Sequence, residues 1–405
     1  MSLPASAAPG SLSVPERSRV RTVRRTGART ASAVSRLLVV SASMGAGHDA
    51  VAAELARRLR AAGHETLHTD VLDLLPAHVG TGLRIFYRTA VRYAPVVYAG
   101  VYAAFFRADG GPRPGSAPLA ALAEDRLSAQ VASGRADAVV GVFHLAAQLT
   151  GRMRARGRLA VPSAVLITDF AVHRQWLHRG NDLHLCLTTE IAQDVRRRLG
   201  QPATACGPLL SDGFCPHPVG ESYWRRRLAA DEGRRPVLLS AGAWGVGSRL
   251  EETARLLSGA GYLPVALCGR NERLRRLLSK VPGTLAMGWV EDMPGLLAAC
   301  SAVVDNAAGQ TALEALAVGV PVIGYRPIPG HGADGVRRMA ALGLTEHAVS
   351  TSQLVESLER LTSPSAAADD GRVRAAPLFQ GEGDVVHVLA RLAAGSGAGP
   401  YDAQQ

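Results

Sequence analysis

Residues 41–55, SASMGAGHDAVAAEL, set a histidine directly behind two glycines, where the apolar run Leu37-Leu38-Val39-Val40 gives way to a helical pattern. In open α/β sheets, ligands bind beyond the carboxyl ends of the strands, where a helix N-terminus offers free backbone N–H groups and a partial positive charge. Gly45 and Gly47 permit close backbone approach at such an end and leave His48 projecting at the mouth of a cleft. An unperturbed imidazole titrates near pH ~6.5 and can take a proton from a hydroxyl held against it. The same residues also describe a glycine turn with a helix-capping histidine and no chemistry, because short glycine patterns are weak signals.

Two further clusters carry chemistry-bearing types. In LITDFAVHRQWLH, Asp169 ends an apolar strand, and His173, Trp176 and His178 follow closely. Asp169 reads either as a loop cap or as a catalytic carboxylate. The His/Asp spacing alone would admit a metal, but no further ligand set recurs and the chain has no D-x-D pair, so no metal is expected. In NAAGQTALEAL, Gly309, Gln310 and Thr311 lie at a strand-to-helix turn, with Glu314 one turn further in. Backbone N–H groups there suit a diphosphate, and a carboxylate three residues on suits ribose hydroxyls. A capping box of Thr311 with Glu314 is the structural reading of the same residues, and the two are compatible.

The elements that must position these residues alternate. From 36 to 208, the runs RLLVVSAS, ADAVVGVF, SAVLITDF and LHLCLTT are separated by helical patterns, as in βαβ units on a parallel sheet. Prolines and glycines in GPLLSDGFCPHPVGE interrupt the alternation. It restarts at RPVLLSAGAWGVG and continues through YLPVALCG, GTLAMGWV, SAVVDNAAG and GVPVIGYR. The expected organisation is an α/β chain of two Rossmann-like doubly wound domains facing across a cleft. Its expected divisions are a disordered basic tail (1–35), an N-terminal acceptor-binding domain (36–208) and a linker (209–234). A C-terminal nucleotide-binding domain (235–362), a loop and terminal helix (363–394) and a flexible tail (395–405) follow.

Composition bounds the partners. At 405 residues and 47% hydrophobic, the chain is long enough for two cores. Five scattered cysteines with no C-x-x-C pair suggest neither a disulfide framework nor a zinc site, which fits a reducing cytoplasm. The net charge of +11 comes almost wholly from arginine, Lys280 being the one lysine. It makes an anionic partner plausible: nucleic acid, an acidic membrane face or a phosphorylated substrate. No nucleic-acid module is recognisable, so none is expected as a partner. LLVVSAS is too short for a signal-peptide core or a membrane span.

The segment RIFYRTAVRYAPVVYAGVYAAFF, residues 84–106, is unusual for a nucleotide-binding domain. Arg84, Arg88 and Arg92 recur at i, i+4 and i+8 as one basic stripe, Pro95 interrupts, and a charge-free aromatic run from Val96 to Phe106 follows. Such a run is too short to span ~30 Å of hydrocarbon but suits the interface. In that reading the arginines face lipid phosphates, and Tyr98, Tyr102, Phe105 and Phe106 sit among the headgroups. The alternative is a helix-loop-helix buried within the N-terminal domain.

With these motifs in order, the chain resembles the monogalactosyldiacylglycerol synthase and processive diacylglycerol glucosyltransferase family, whose members have the GT-B fold. The resemblance covers most of residues 37–345 and is carried by SMGAGH, TDFAVHRQWLH, GAWGVG, CGRNERL, GWVEDMPGLLAACSAVVDNAAGQTALEAL and PVIGYRPIPGHGADG. It implies His48 as general base, with Asp169 as catalytic partner. Trp289, Val290 and Met293 would lie at the uracil, Gly309, Gln310 and Thr311 at the diphosphate, and Glu314 at the ribose. Gly242, Ala243 and Gly245 would line the cleft, and Cys268, Gly269 and Asn271 would flank the nucleotide. His173 and Trp176 fall on the acceptor side, and at residues 84–106 the family has a lipid-contacting segment with similar tyrosines.

Two departures stand out. The family's A-G-P-G-T is Ala307-Ala308-Gly309-Gln310-Thr311 here, and His331 and Gly332 occupy the sugar-binding positions after Pro-Gly that many members fill with Gln and Glu. The hexose is therefore left open. The resemblance implies an inverting transfer of a hexose from a UDP-sugar to a lipid acceptor such as diacylglycerol. It requires no cofactor beyond that donor and places the protein peripherally, on an anionic membrane at its cytoplasmic face. Three alternatives remain: a GT-B enzyme acting on a soluble natural product, which would share the nucleotide motifs; a UDP-N-acetylglucosamine 2-epimerase, which has the same two-domain shape; and a basic protein that binds nucleic acid through its arginines without catalysis.

Overall fold

The computed structural model describes residues 34–106, 115–229, 233–247, 249–363 and 375–395; the expected N-terminal tail up to residue 33 and the tail beyond 395 lie outside them. The first lobe is a six-stranded parallel sheet of β1 (Arg36–Ser41), β2 (Glu65–Asp70), β3 (Ala138–Gly141), β4 (Ser163–Leu166), β5 (Leu183–Cys186) and β6 (Ala203–Ala205). The spatial order is β2-β1-β3-β4-β5-β6, all pairs parallel. Its helices are α1 (Ala46–Ala61), α2 (Ala77–Tyr93), α3 (Pro95–Phe105), α4 (Ala117–Gly134), α5 (His144–Ala155) and α6 (Thr189–Leu199). Strands such as Leu37–Val40 are buried on both faces, which is why they read as continuous apolar runs.

After α7 (Glu221–Ala229), the second lobe repeats the plan with β7 (Arg235–Ser240), β8 (Tyr262–Leu267), β9 (Leu285–Met287), β10 (Ala302–Asp305), β11 (Val322–Tyr325) and β12 (Glu346–Ala348). The order is β12-β11-β10-β7-β8-β9, again parallel. Helices α8 (Leu250–Gly259), α9 (Glu272–Leu278), α10 (Met293–Ala298), α11 (Gln310–Ala317), α12 (His331–Ala341) and α13 (Thr351–Leu361) flank it. Strand order reverses between β1 and β3 in one sheet and between β7 and β10 in the other, and these switch points open the crevices in which such sheets bind ligands.

Two segments differ from their sequence-based expectation. The expected linker contains α7, whose Trp224 and Leu228 are buried and whose Trp224 indole donates to Asp292 Oδ2 at 2.9 Å. Asp292 in turn caps α10 through the Gly295 amide. The last described helix, α14 (Val385–Ala393), follows the second lobe in sequence but belongs to the first in space. Val385, Leu389 and Leu392 join a core with Leu37, Val39, Val51, Leu55 and Leu59, between β1 and α1. The apolar stripe of a helix this short needs a partner, and the strand pattern does not reveal which lobe supplies it.

That packing is testable. Leu389 is fully buried, so Leu389→Ala should destabilise by about 2–5 kcal/mol. In hydrogen exchange the lost protection should fall on β1 and α1, with the β7–β10 region unchanged; the opposite distribution would contradict the assignment of α14 to the first lobe.

Candidate active site

A cavity of about 1070 Å³ lies where the two crevices meet. The first lobe lines it with the turn after β1, with residues following β3 and β4, and with α2 and α3. The second lobe contributes the turns after β7, β8 and β10 and the start of α12.

His48 stands in the first turn of α1, whose N-cap is Gly45 in an extended conformation. A Cβ added at Gly47 would meet the Cβ of Gln310 at 3.5 Å, an ordinary contact, so the glycine turn before α1 and the start of α11 lie within one side chain of each other. The His48 Nδ1 is 3.2 Å from Thr168 Oγ1, and the ring also bonds the Val142 backbone. Phe143 packs edge-on at 5.0 Å between centroids. Burial lowers the pKa of His48 below its ordinary 6.5, against the opposing charges of Asp169 and Asp49. The imidazole is therefore neutral and able to accept a proton.

Asp169 also lines the cavity, but Trp176 does not. The expected acceptor contact of Trp176 is corrected: its side chain is fully buried, and its indole donates to Asp169 Oδ2 at 2.8 Å. A buried indole needs an acceptor, and the carboxylate at the end of the preceding strand supplies it. His173 is on the cavity wall, with Nε2 3.6 Å from the same oxygen, and burial pushes its pKa down to about 4. His178 lies off the cavity, where its Nδ1 accepts from the Gly180 amide at 3.0 Å.

In the second lobe, Asp305 ends β10 and accepts from the amides of Ala307 at 2.9 Å and Ala308 at 2.5 Å, shaping the turn before α11. Asn306 ties that turn to the glycine loop after β7 through a 3.1 Å bond to the Val246 carbonyl. Gly309, Gln310, Thr311 and Glu314 line the cavity beside it. Burial pushes the carboxyl of Glu314 up to about 7. Gly242, Ala243, Gly269, Trp289, Val290 and Met293 line the adjoining region, where Arg270 stacks over Trp289 at 4.9 Å. Cys268 is buried behind it, and Asn271 caps α9. Gly245 departs from expectation: its φ is +60°, and a Cβ there would sit 2.4 Å from that of Asn271, so it packs one glycine loop on the next instead of lining the cleft.

His331 lines the cavity and Gly332 does not. Gly332 is buried, and a Cβ there would lie 3.0 Å from the Asn306 carbonyl, so α12 approaches the turn after β10 too closely to offer a side chain at that position.

The α2–α3 segment forms two helices, and its faces are reversed from the expected interfacial arrangement. Arg84 pairs with Asp70 at 2.9 Å and Asp73 at 2.8 Å and donates to Ser43 Oγ at 2.8 Å, bracing the turn that carries His48. Arg88 stacks over Trp244 at 5.3 Å, and Arg92 donates to Asn271 Oδ1 at 2.6 Å. The stripe exists, but carboxylates, an indole and an amide inside the molecule attract it more specifically than solvent does. The rings also turn inward. Tyr102 is buried and stacks on Phe106 at 5.4 Å, Tyr98 is 2.8 Å from His331 Nδ1, and Tyr98, Tyr102, Phe105 and Phe106 all line the cavity. The large apolar residues left outward include Ile85, Phe86, Tyr93, Val96 and Val97, with Val96 81% exposed, while Arg88 and Phe105 each keep an exposed part as well.

Sequence reasoning missed His144, Thr168 and Tyr87, all on the cavity wall. His144 begins α5 just after β3, and the rule that singled out His48 at the end of β1 would have found it there. Its Nδ1 is buried without a protein partner among the described residues, 5.2 Å of ring separation from His173.

A family model described as monogalactosyldiacylglycerol (MGDG) synthase matches residues 48–205. The processive diacylglycerol beta-glucosyltransferase of Bacillus cereus (strain AH187) is 29% identical over 220 residues, 51% of this chain and 54% of that protein. The match to such relatives thus spans about half their length. The protein of that name from Bacillus mycoides (strain KBAB4) is 28% identical over 327 residues, 73% of this chain and 77% of its own. Among solved structures, the glycosyltransferase SnogD from Streptomyces nogalater superposes with a TM-score of 0.56 at 18% identity, covering 90% of this chain and all of that one. Os79 from O. sativa, solved with UDP, gives 0.57 at 16% identity, covering 89% of this chain and 99% of its own. These likenesses bear out the resemblance carried by the motifs: the chain has the GT-B fold and is similar, over part of its length, to the monogalactosyldiacylglycerol synthase and processive diacylglycerol glucosyltransferase family.

Proposed function

We propose that this protein is a UDP-sugar-dependent hexosyltransferase that glycosylates a lipid acceptor such as diacylglycerol, with inversion, at the cytoplasmic face of the membrane. The observation that carries the reading is the juxtaposition of a neutral imidazole, His48, with the N-terminal turn of α11 in one cavity. The acceptor hydroxyl gives its proton to His48 while its oxygen attacks the anomeric carbon, and the bond from that carbon to the diphosphate oxygen breaks on the opposite side. The backbone N–H groups and dipole at Gly309–Thr311 receive the charge on the departing diphosphate. Asp169, held by Trp176, stabilises the imidazolium as it forms. Glu314 accepts from the ribose hydroxyls, and the region around Trp289 and Met293 takes the base. No step is assigned to a metal ion.

Support for a lipid acceptor comes from the names of the relatives and from the apolar first-lobe wall of the cavity, to which Leu72, Leu83, Val91, Leu119 and Leu145 contribute along with His48. Among the described residues no helix is long and apolar enough to cross a membrane. Membrane contact in this reading falls to the outward residues Tyr93, Val96 and Val97 at the α2–α3 bend.

Three outcomes test the proposal. His48→Ala should lower kcat by about 10²–10⁴-fold in an assay of UDP release from UDP-hexose with diacylglycerol vesicles. The wild-type rate should hold down to below pH 6.5, because burial lowers the pKa of the base and keeps it deprotonated. Survival of transfer within a few-fold in the variant would remove the base assignment. For Glu314, UDP affinity measured by calorimetry should fall as the pH drops through about 7, since protonation removes the anionic acceptor. Any dependence left in Glu314→Gln then belongs to the diphosphate; an unchanged dependence would place the ribose elsewhere. Finally, Val96→Asp with Val97→Asp should abolish flotation with anionic vesicles while leaving UDP affinity intact. Wild-type protein that ignores vesicles and glycosylates a soluble acceptor would favour the natural-product alternative.

A further inference from the structure

The α2–α3 pair belongs to the first lobe, yet it meets the second lobe at points that include, in order along the pair, Arg88 over Trp244, Arg92 on Asn271, and Tyr98 on His331. The third contact lies in the cavity itself. His331 is the first residue of α12, preceded by Gly330 at φ +84°. A Cβ at Gly330 would lie 2.8 Å from the Tyr102 ring, so the loop delivering His331 is pressed onto α3. The Tyr98 and His331 rings are perpendicular at 5.7 Å, and Tyr87 and Tyr102 confine Tyr98 at 5.7 and 6.4 Å.

Chemistry then sets the direction of the bond. Among the described residues, His331 Nδ1 is the one hydrogen-bond partner of the Tyr98 hydroxyl, at 2.8 Å. A phenol with a single ring nitrogen as partner donates to it, which leaves the imidazole proton on Nε2. Burial lowers the pKa of His331, so the ring stays neutral and keeps one donor and one acceptor. Gly332 adds no side chain, and Asp334 in the same turn is engaged by Arg337. His331 Nε2–H is thus the side-chain donor that the first turn of α12 offers toward the cavity.

We propose that Tyr98 is a positioning residue for the donor sugar: from the acceptor lobe it fixes the ring and tautomer of His331, so that Nε2–H meets a sugar oxygen. The inference rests on the UDP-sugar reading above. It makes α3 part of the donor pocket as well as of the acceptor wall.

Calorimetry with UDP, UDP-glucose and UDP-galactose on wild type, Tyr98→Phe, His331→Gln and the double variant tests it. Tyr98→Phe keeps the packed ring and loses the hydroxyl. It should leave UDP affinity within about twofold and weaken the better-bound UDP-hexose about three- to tenfold, the loss expected for one neutral hydrogen bond. Glutamine at 331 carries an N–H that needs no phenol, so Tyr98→Phe should add nothing in that background. Imidazole-nitrogen NMR should report the Nε2–H tautomer for His331 in wild type and lose that preference in Tyr98→Phe. Equal weakening of UDP and UDP-hexose, wild-type affinity in Tyr98→Phe, additive effects in the double variant, or an Nδ1–H tautomer in wild type would each overturn the proposal. Wild-type protein that binds none of the nucleotides would fail the UDP-sugar reading itself and this inference with it.

Discussion

Two helix N-termini confront each other across the cleft, and the rest of the structure serves that opposition. The first turn of α1 carries His48, the first turn of α11 carries Gln310 and Thr311, and the two approach within a side chain at Gly47 and Gln310. Each end presents unsatisfied N–H groups and partial positive charge. Two such ends facing one gap are best satisfied by an anionic group between them, and a base beside that group is placed for displacement. Parallel sheets with their reversal points at β1/β3 and β7/β10 are what bring both ends to the same crevice.

Burial then sets the character of the side chains on the cavity wall. His48, His144, His173 and His331 share it, and burial lowers the pKa of all four. Their charges also couple: a proton on one ring makes protonation of the next more costly, as the influence of His48 on His144, His173 and His331 shows. Asp169 counters this at His48, His173 and His331. Burial and mutual repulsion keep the four rings neutral beside one carboxylate, without the standing positive charge that four imidazolium groups would impose.

The α2–α3 hairpin joins these features. Its inward face holds the His48 turn through Arg84 and Ser43, the second lobe through Arg92 and Asn271, and the start of α12 through Tyr98. Its outward face keeps Val96 and Val97 in solvent. A helix pair built this way reaches the cavity, the second lobe and the exterior at once.

Much of this was legible in the sequence. Continuous apolar runs ending in glycine turns marked the strands at 37–41 and 302–305 and put His48 and Gly309–Thr311 at strand ends, since a strand buried on both faces has few other spellings. The i, i+4, i+8 spacing of Arg84, Arg88 and Arg92 correctly placed them on one helical face. Spacing is a property of the helix alone, however, and says nothing of which way that face turns. Asp70, Trp244 and Asn271 decided it, and they lie on other elements, as far as 179 residues away. The same holds for Trp176, which reads as an acceptor ring until Asp169 is seen to claim its indole, and for α14, whose apolar stripe fits either lobe until the packing of Leu389 on β1 and α1 is known. The sequence by itself determined the periodicities, the turns and the inventory of reactive side chains, because these depend on neighbours along the chain. Only the tertiary structure decided which side chains face the cavity, since that choice is made by partners brought close in space.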